Sequence, residues 1–187
     1  MSLLDTQNFL ARVYTDENLR RKFLSAPERI GQENHLTEKE IREFVEILPV
    51  ELNFFADSLL WKRLREVEKL LPVTKKILAA DFEKQFRDFA SQFTPVSIKK
   101  HLEDAFEFCR FLQSKRLAPE WAGDAAKFEQ AKLQFNVYEK RFILKIFDYD
   151  IREIFRPDSG KPHSDYQRRK TVAVWLRLGK QTRHFIR

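Results

Sequence analysis

One cysteine and four histidines are the residues of this chain that could act as nucleophiles or bind a transition metal. His35, His101, His163 and His184 are far apart, and none follows another by three to five residues. That spacing would place two ligands on one face of a helix, as helical metal sites require. A metal site would have to be assembled from distant segments, and we expect neither a metal nor a cofactor.

The cysteine, Cys109, falls at helical spacing with Leu102, Phe106 and Leu112, which predicts a place in the core. A thiol buried among apolar side chains has a raised pKa and is inert. The four glycines form none of the motifs that cradle a phosphate or present a nucleophilic serine. We therefore predict that the protein is not an enzyme. The alternative is a catalytic site where the fold brings Cys109 or a histidine to a carboxylate.

Basic side chains near the end of the chain are the third chemical feature. The chain has a net charge of +7, and residues 161–187, with eight Lys or Arg and one Asp, account for all of it. Nucleic-acid phosphates, an acidic peptide and a membrane surface are all partners that such a segment could bind. A basic edge strand that only discourages aggregation would have the same composition.

The hydrophobic pattern predicts helices over most of the chain and strands near its end. Phe82, Phe86, Phe89 and Phe93, for example, share one face of a predicted helix that packs in the core. The predicted fold class is therefore mainly α, a multi-helix bundle with a small C-terminal antiparallel β-sheet (α+β overall). Three segments are predicted: an N-terminal helical segment (1–48), a central helical domain (49–137) and a basic C-terminal β element (138–187).

Three strands are predicted in the C-terminal β element. Residues 142–147 are apolar at nearly every position, which is typical of a strand buried on both faces. A polar loop is expected over 156–167. Residues 171–178 and 181–187 then form two strands, joined by Gly179 and Lys180 in a two-residue hairpin turn.

The two-residue turn also sets the predicted register of this hairpin. It places Trp175 opposite His184 and Val174 opposite Phe185. We expect the Val174–Phe185 pair to face the core, and Trp175, His184 and Arg177 to face outward. The predicted partner-binding residues of this element are Arg168, Arg169, Lys170, Trp175, Arg177, Arg183 and His184.

The cellular location is predicted from segments that the sequence lacks. No charged stretch followed by an apolar one opens the chain, so no signal peptide is expected. No run of about 20 apolar residues is present, so no transmembrane segment is expected. A single cysteine suits a reducing compartment, and we predict a cytoplasmic protein.

The middle of the chain resembles a protein family of unknown function that carries a DNA-binding label. The resemblance runs from about Arg63 to Phe135 and depends on the spacing of apolar, proline and acidic residues. These are Leu71-Pro72, Phe82, Phe86, Phe93, Pro95, Leu102, Asp104, Phe108, Leu112, Phe128-Glu129 and Ala131. The whole chain, with its Val172-Ala-Val-Trp-Leu-Arg177 ending, looks still more similar to small bacterial proteins that join this helical part to a terminal β element.

Members of this family look like partner proteins of multinuclear non-haem iron oxidases in ribosomal peptide modification. The resemblance implies a non-catalytic adaptor that holds a peptide for a separate enzyme, often by strand addition at a sheet edge. We therefore predict that the basic C-terminal β element binds a peptide or protein, such as a ribosomal peptide precursor and its modifying oxidase. The alternative is a nucleic-acid-binding protein, and the oligomeric state is left open.

Overall fold

The computed structural model of the protein describes residues 3–46, 49–156, 166–179 and 181–187. These residues form ten helices and three strands, which confirms the predicted helical bundle with a small C-terminal antiparallel sheet. The helices are α1 (Leu3–Thr15), α2 (Glu17–Ser25), α3 (Pro27–Glu33), α4 (Glu38–Glu46), α5 (Pro49–Leu70), α6 (Pro72–Leu78), α7 (Ala80–Ala90), α8 (Lys100–Ser114), α9 (Ala122–Val137) and α10 (Ile151–Ile154). The strands are β1 (Phe142–Tyr149), β2 (Arg168–Leu178) and β3 (Gln181–Ile186).

The chain divides into two compact units. Unit 1 comprises residues 1–65 and 87–96, and unit 2 comprises residues 66–86 and 97–187. The three segments expected from the sequence stay a prediction. The C-terminal β element lies entirely within unit 2, so the packing of unit 2 is what positions it.

In unit 1, side chains cap the start of α4. The capping box at the start of α4 is confirmed: the Thr37 N–H donates to the Glu40 carboxylate at 2.8 Å, and the Glu40 N–H donates to the Thr37 hydroxyl at 3.3 Å. The Thr6 hydroxyl also donates to Glu40 at 2.5 Å. These hydrogen bonds lower the pKa of Glu40 to about 2, because they stabilise its charged form. The bond from Thr6 has the largest effect. The core of unit 1 contains Phe9, Val13, Phe23, Ile30, Leu36, Ile41 and Leu52.

Unit 2 packs its helices through buried phenylalanines. Phe82 and Phe86 are fully buried, and each meets the ring of Phe108 edge-on, at centroid distances of 5.3 and 5.2 Å. The prediction that these members of the Phe series are core residues is confirmed. Edge-to-face pairs of this kind add to the energy of burial and hold the helices at defined angles.

The buried carboxylate of Glu129 joins α9 to the start of α6. It accepts hydrogen bonds from the Val73 N–H at 2.9 Å, the Thr74 N–H at 3.0 Å and the Thr74 hydroxyl at 2.7 Å. The N-cap residue of α6, Leu71, has no capping side chain, so Glu129 satisfies helix donors that would otherwise be unpaired. Burial is the largest influence on Glu129 and raises its pKa.

The sheet has the strand order β1-β2-β3, with both pairs antiparallel. The predicted hairpin register is confirmed, because Trp175 lies opposite His184 and Val174 opposite Phe185. Lys180 of the predicted turn lies outside the described residues, as does the segment 157–165 of the predicted loop.

The predicted orientation of the hairpin was wrong. Trp175 is only 4% exposed and packs against Phe128 of α9 at a ring distance of 5.2 Å, so it faces the helices and not solvent. Its neighbours on that face, Ala173 and Thr171, are small and fully buried, which lets α9 approach the sheet closely. The Val174–Phe185 pair lies on the opposite face, since successive residues of a strand alternate sides.

The expectation that β1 is buried on both faces was also wrong. Ile143 and Phe147 are buried against the helices, as predicted. Phe142, Leu144 and Ile146 are exposed, because within the described residues no helix covers the other side of the sheet.

Candidate functional site

The sheet has an uncovered apolar side, which we name the outer face. It is formed by Phe142, Leu144, Ile146, Val172, Val174, Leu176, Arg183, Phe185 and Arg187. Strand pairing arranges these side chains in three rows across the sheet: Phe142–Leu176–Arg183, Leu144–Val174–Phe185 and Ile146–Val172–Arg187. The exposed fractions are 55% for Phe142, 48% for Leu144, 53% for Ile146 and 54% for Phe185. A contiguous apolar patch of this kind is typical of an interaction surface.

The two cations of the outer face are both on β3. Arg183 and Arg187 end the first and third rows, on either side of Phe185. Neither makes an ion pair within the described part of the chain, so both guanidinium groups are available to a partner. The outer face therefore combines an apolar centre with a positive margin along β3.

Side chains of α9 block the C-terminal part of the free edge of β1. The Asp124 carboxylate accepts from the N–H groups of Asp148 and Tyr149 at 2.7 and 2.9 Å. The Lys127 ammonium donates to the Ile146 carbonyl at 2.6 Å. Burial is the largest influence on Asp124 and raises its pKa, although the two N–H groups act in the opposite direction. An added strand could not pair with this part of β1 without displacing Asp124 and Lys127.

The other edge of the sheet, along β3, is open. Val172 and Arg187 exchange two main-chain hydrogen bonds, of 2.8 and 2.9 Å. Hydrogen-bonded pairs alternate along an antiparallel ladder, so the N–H and C=O groups of Thr182, His184 and Ile186 point away from β2. Within the described ranges no other group bonds to them. β3 therefore offers three consecutive sites for pairing with another strand.

Two of the predicted partner-binding cations are occupied inside unit 2. Arg168 pairs with Glu120 at 2.5 Å and donates to the Tyr149 hydroxyl at 3.3 Å. Its hydrogen bond is the largest cause that lowers the pKa of Glu120. Arg169 lies 3.8 Å from the Asp150 carboxylate. Both cations are therefore already paired with carboxylates of unit 2.

The other predicted residues divide between the interior and the surface. Arg177 lies over the ring of Phe135 at 5.0 Å and donates to the Phe135 carbonyl at 2.9 Å, so, like Trp175, it faces the helices. The expectation that Arg177 faces outward was wrong for this reason. Lys170, Arg183 and His184 are exposed. Of the predicted set, these three are placed where a partner can reach them.

The residues considered for nucleophilic and metal chemistry are not brought together. Cys109 is fully buried, and desolvation is the largest cause that raises the pKa of its thiol. His35 and His101 are exposed, and His163 lies outside the described residues. Among the side chains that the structure describes, no three of His, Cys, Asp or Glu are grouped as a metal site would need. No helix in the same ranges is both long and apolar enough to cross a membrane.

A cavity of about 290 Å³ lies in unit 1. Arg20, Arg63 and Arg87 line it, which would suit an anion. Arg20 donates to Asn53 at 3.0 Å, Arg87 lies 3.5 Å from Asp57, and Arg63 donates to a main-chain carbonyl at 3.0 Å. The three cations are therefore already engaged within unit 1.

The chain matches no protein-family model and no curated protein sequence. The resemblance to partner proteins of iron oxidases therefore stays a prediction. The candidate site is defined by the geometry of the β element alone.

The apolar residues of the outer face are the functional candidates that the sequence reasoning missed. The cations dominate the composition near the end of the chain, and the apolar run of β1 is typical of a strand buried on both faces. The order of the elements in the chain indicates that one face of the sheet is uncovered. All helices except the very short α10 precede the sheet, and one layer of helices covers only one face of a sheet.

Proposed function

We propose that the protein is a non-catalytic adaptor whose C-terminal β element binds a peptide or protein segment along the open edge of β3. The observation that supports this most is the set of outward main-chain groups of Thr182, His184 and Ile186. An extended peptide can satisfy them by adding a fourth strand, and its side chains then lie beside those of β3.

The charge beside this edge indicates what kind of segment is bound. Lys170, Arg183 and Arg187 are exposed and make no ion pair within the described residues. An acidic strand would place carboxylates near these cations, which accelerates association and disfavours basic competitors. An acidic extended segment, as in a ribosomal peptide precursor, is the partner that we propose.

Isothermal titration with peptides encoded by genes adjacent to this one tests the proposal. His184→Pro is the informative variant, because it removes an N–H that points to the open edge and leaves the bonds from β3 to β2 in place. We expect it to weaken binding at least about tenfold, since a main-chain bond is lost and the proline ring obstructs the added strand.

His184→Ala is the matched control, and we expect it to bind almost as well as the parent protein. Equal losses for the two variants would assign the effect to the imidazole and contradict strand addition. Binding of DNA at low salt that falls steeply as salt is raised, without any peptide binding, would favour the nucleic-acid alternative instead.

A further inference from the structure

We infer that the outer face of the sheet binds one amphipathic helix of a protein partner, with acidic residues along the flank that meets β3. This goes beyond strand addition, because it concerns the side chains of the sheet and not the main chain of its edge. The observation behind it is that seven apolar side chains of the outer face remain uncovered, four of them about half exposed or more.

The shape of the outer face suits a helix. Three strands separated by about 4.8 Å make a platform roughly 10 Å across, which is close to the diameter of a helix. The inner face of the same sheet is already packed in this way, because Phe128 of α9 contacts both Phe147 and Trp175. A helix on the outer face would complete a layer on each side of the sheet.

The charged residues at the margins of the outer face determine which charges the bound helix carries on its flanks. Arg183 and Arg187 flank Phe185 along β3, and Lys170 is exposed on β2. Asp148, an acidic residue of β1, is exposed and donates its N–H to Asp124. Glutamates on the flank over β3 would meet two arginines, whereas lysines there would meet like charge.

The same margins argue against a second copy of this chain as the occupant. Two outer faces packed on each other would bring four arginines into one interface. Strand β1 of each copy contains a single carboxylate, that of Asp148. Burying like charges without partners is costly, so such a dimer is disfavoured.

Binding of synthetic 18-residue peptides to the full chain, followed by fluorescence anisotropy, tests this inference. One peptide has leucines on one helical face and glutamates on its flanks, the second has lysines in place of the glutamates, and the third permutes the first. We expect the glutamate peptide to bind at least about tenfold more tightly than either of the others. Leu144→Asp and Arg183→Glu should each weaken it by a similar factor, because they change the centre and the margin of the outer face.

Two controls separate this result from the proposal for the edge. His184→Pro should bind the glutamate peptide as the parent does, although it loses the extended peptide. Thermal unfolding of each variant checks that the fold is retained, and Leu176→Asp replaces Leu144→Asp if that variant unfolds. Equal binding of the glutamate and lysine peptides would overturn the inference. So would sedimentation that shows a dimer of the parent protein and a monomer of the outer-face variant.

Discussion

The two faces of the C-terminal sheet have similar apolar content and very different surroundings. On the inner face, Phe147 and Trp175 are buried beneath α9. On the outer face, Phe142 and Phe185 are about half exposed, and no described helix lies over them. The inner face therefore accounts for the stability of the sheet, whereas the outer face stays accessible.

The two edges of the sheet differ in the same way. Asp124 and Lys127 occupy the main-chain groups at the end of β1, and Thr182 and His184 leave those of β3 open. Exposed edges are prone to pair with other chains, so proteins usually block them. The β1 edge is covered at its C-terminal part and the β3 edge is not, which supports the proposal that pairing occurs along β3.

The largest effect is expected from a pair of phenylalanines on the same strand. Phe147→Ala removes a fully buried ring that contacts Phe128, and should cost about 3–5 kcal/mol of unfolding free energy. Phe142→Ala removes a ring that is 55% exposed, and should cost less than about 1 kcal/mol. Urea unfolding monitored by circular dichroism measures both. Similar losses of unfolding free energy for the two variants would mean that the outer face is packed against other residues and is not accessible.

A smaller effect is expected at the blocked edge of β1. Asp124→Ala leaves the N–H groups of Asp148 and Tyr149 without their acceptor, and should cost about 1–2 kcal/mol of unfolding free energy. His184→Ala, at the open edge, is the matched change and should cost much less. If Asp124→Ala lowered the unfolding free energy as little as His184→Ala does, the claimed difference between the two edges would be contradicted.

The same aspartate gives a pH dependence whose direction is fixed. Burial raises the pKa of Asp124 in the folded protein above its ordinary value of 3.8, so the folded state holds the proton more tightly than the unfolded state. Its contribution to stability is therefore fully present below that value and is lost as pH rises through the folded pKa. Asp124→Asn should remove this component from the stability profile measured by urea unfolding between pH 3 and 6 (about the range of ordinary carboxyl titration). A stability profile that the substitution leaves unchanged would contradict the raised pKa of Asp124.

The smallest effect on stability is expected from the cation at the start of β2. Arg168 and Glu120 are both well exposed, so Arg168→Ala should hardly change the unfolding midpoint. It should, however, raise the pKa of Glu120 toward its ordinary value, because the hydrogen bond from Arg168 is the largest cause that lowers it. Carbon-detected NMR titration of the Glu120 carboxyl measures this.

Peptide affinity should fall for Arg183→Ala and stay unchanged for Arg168→Ala. The reverse order would contradict the placement of the binding cations.

Much of the sheet could be predicted from the sequence. The two-residue turn at Gly179 sets which residues of β2 and β3 face each other, and that pairing is local. The capping box at Thr37 and the buried Phe82 and Phe86 depend in the same way on spacing along one helix.

The orientation of the sheet could not be predicted, because it depends on where α9 packs. The sequence places apolar residues on both faces of β1 and a tryptophan among cations on β2, so hydrophobicity did not distinguish the faces. Thr171 and Ala173 are small and buried on the side that α9 covers, but contacts between distant segments determine where α9 packs. Ion pairs such as Arg168 with Glu120 join residues 48 positions apart and leave no sequence signal.

Amide hydrogen exchange with and without the bound acidic peptide tests the central claim most directly. In the free protein we expect fast exchange at Thr182, His184 and Ile186, and slow exchange at Asp148 and Tyr149, which already bond to Asp124. Saturation with peptide should protect the first three amides and leave the other two unchanged. Unchanged exchange at Thr182, His184 and Ile186 in a saturated complex would contradict binding along β3.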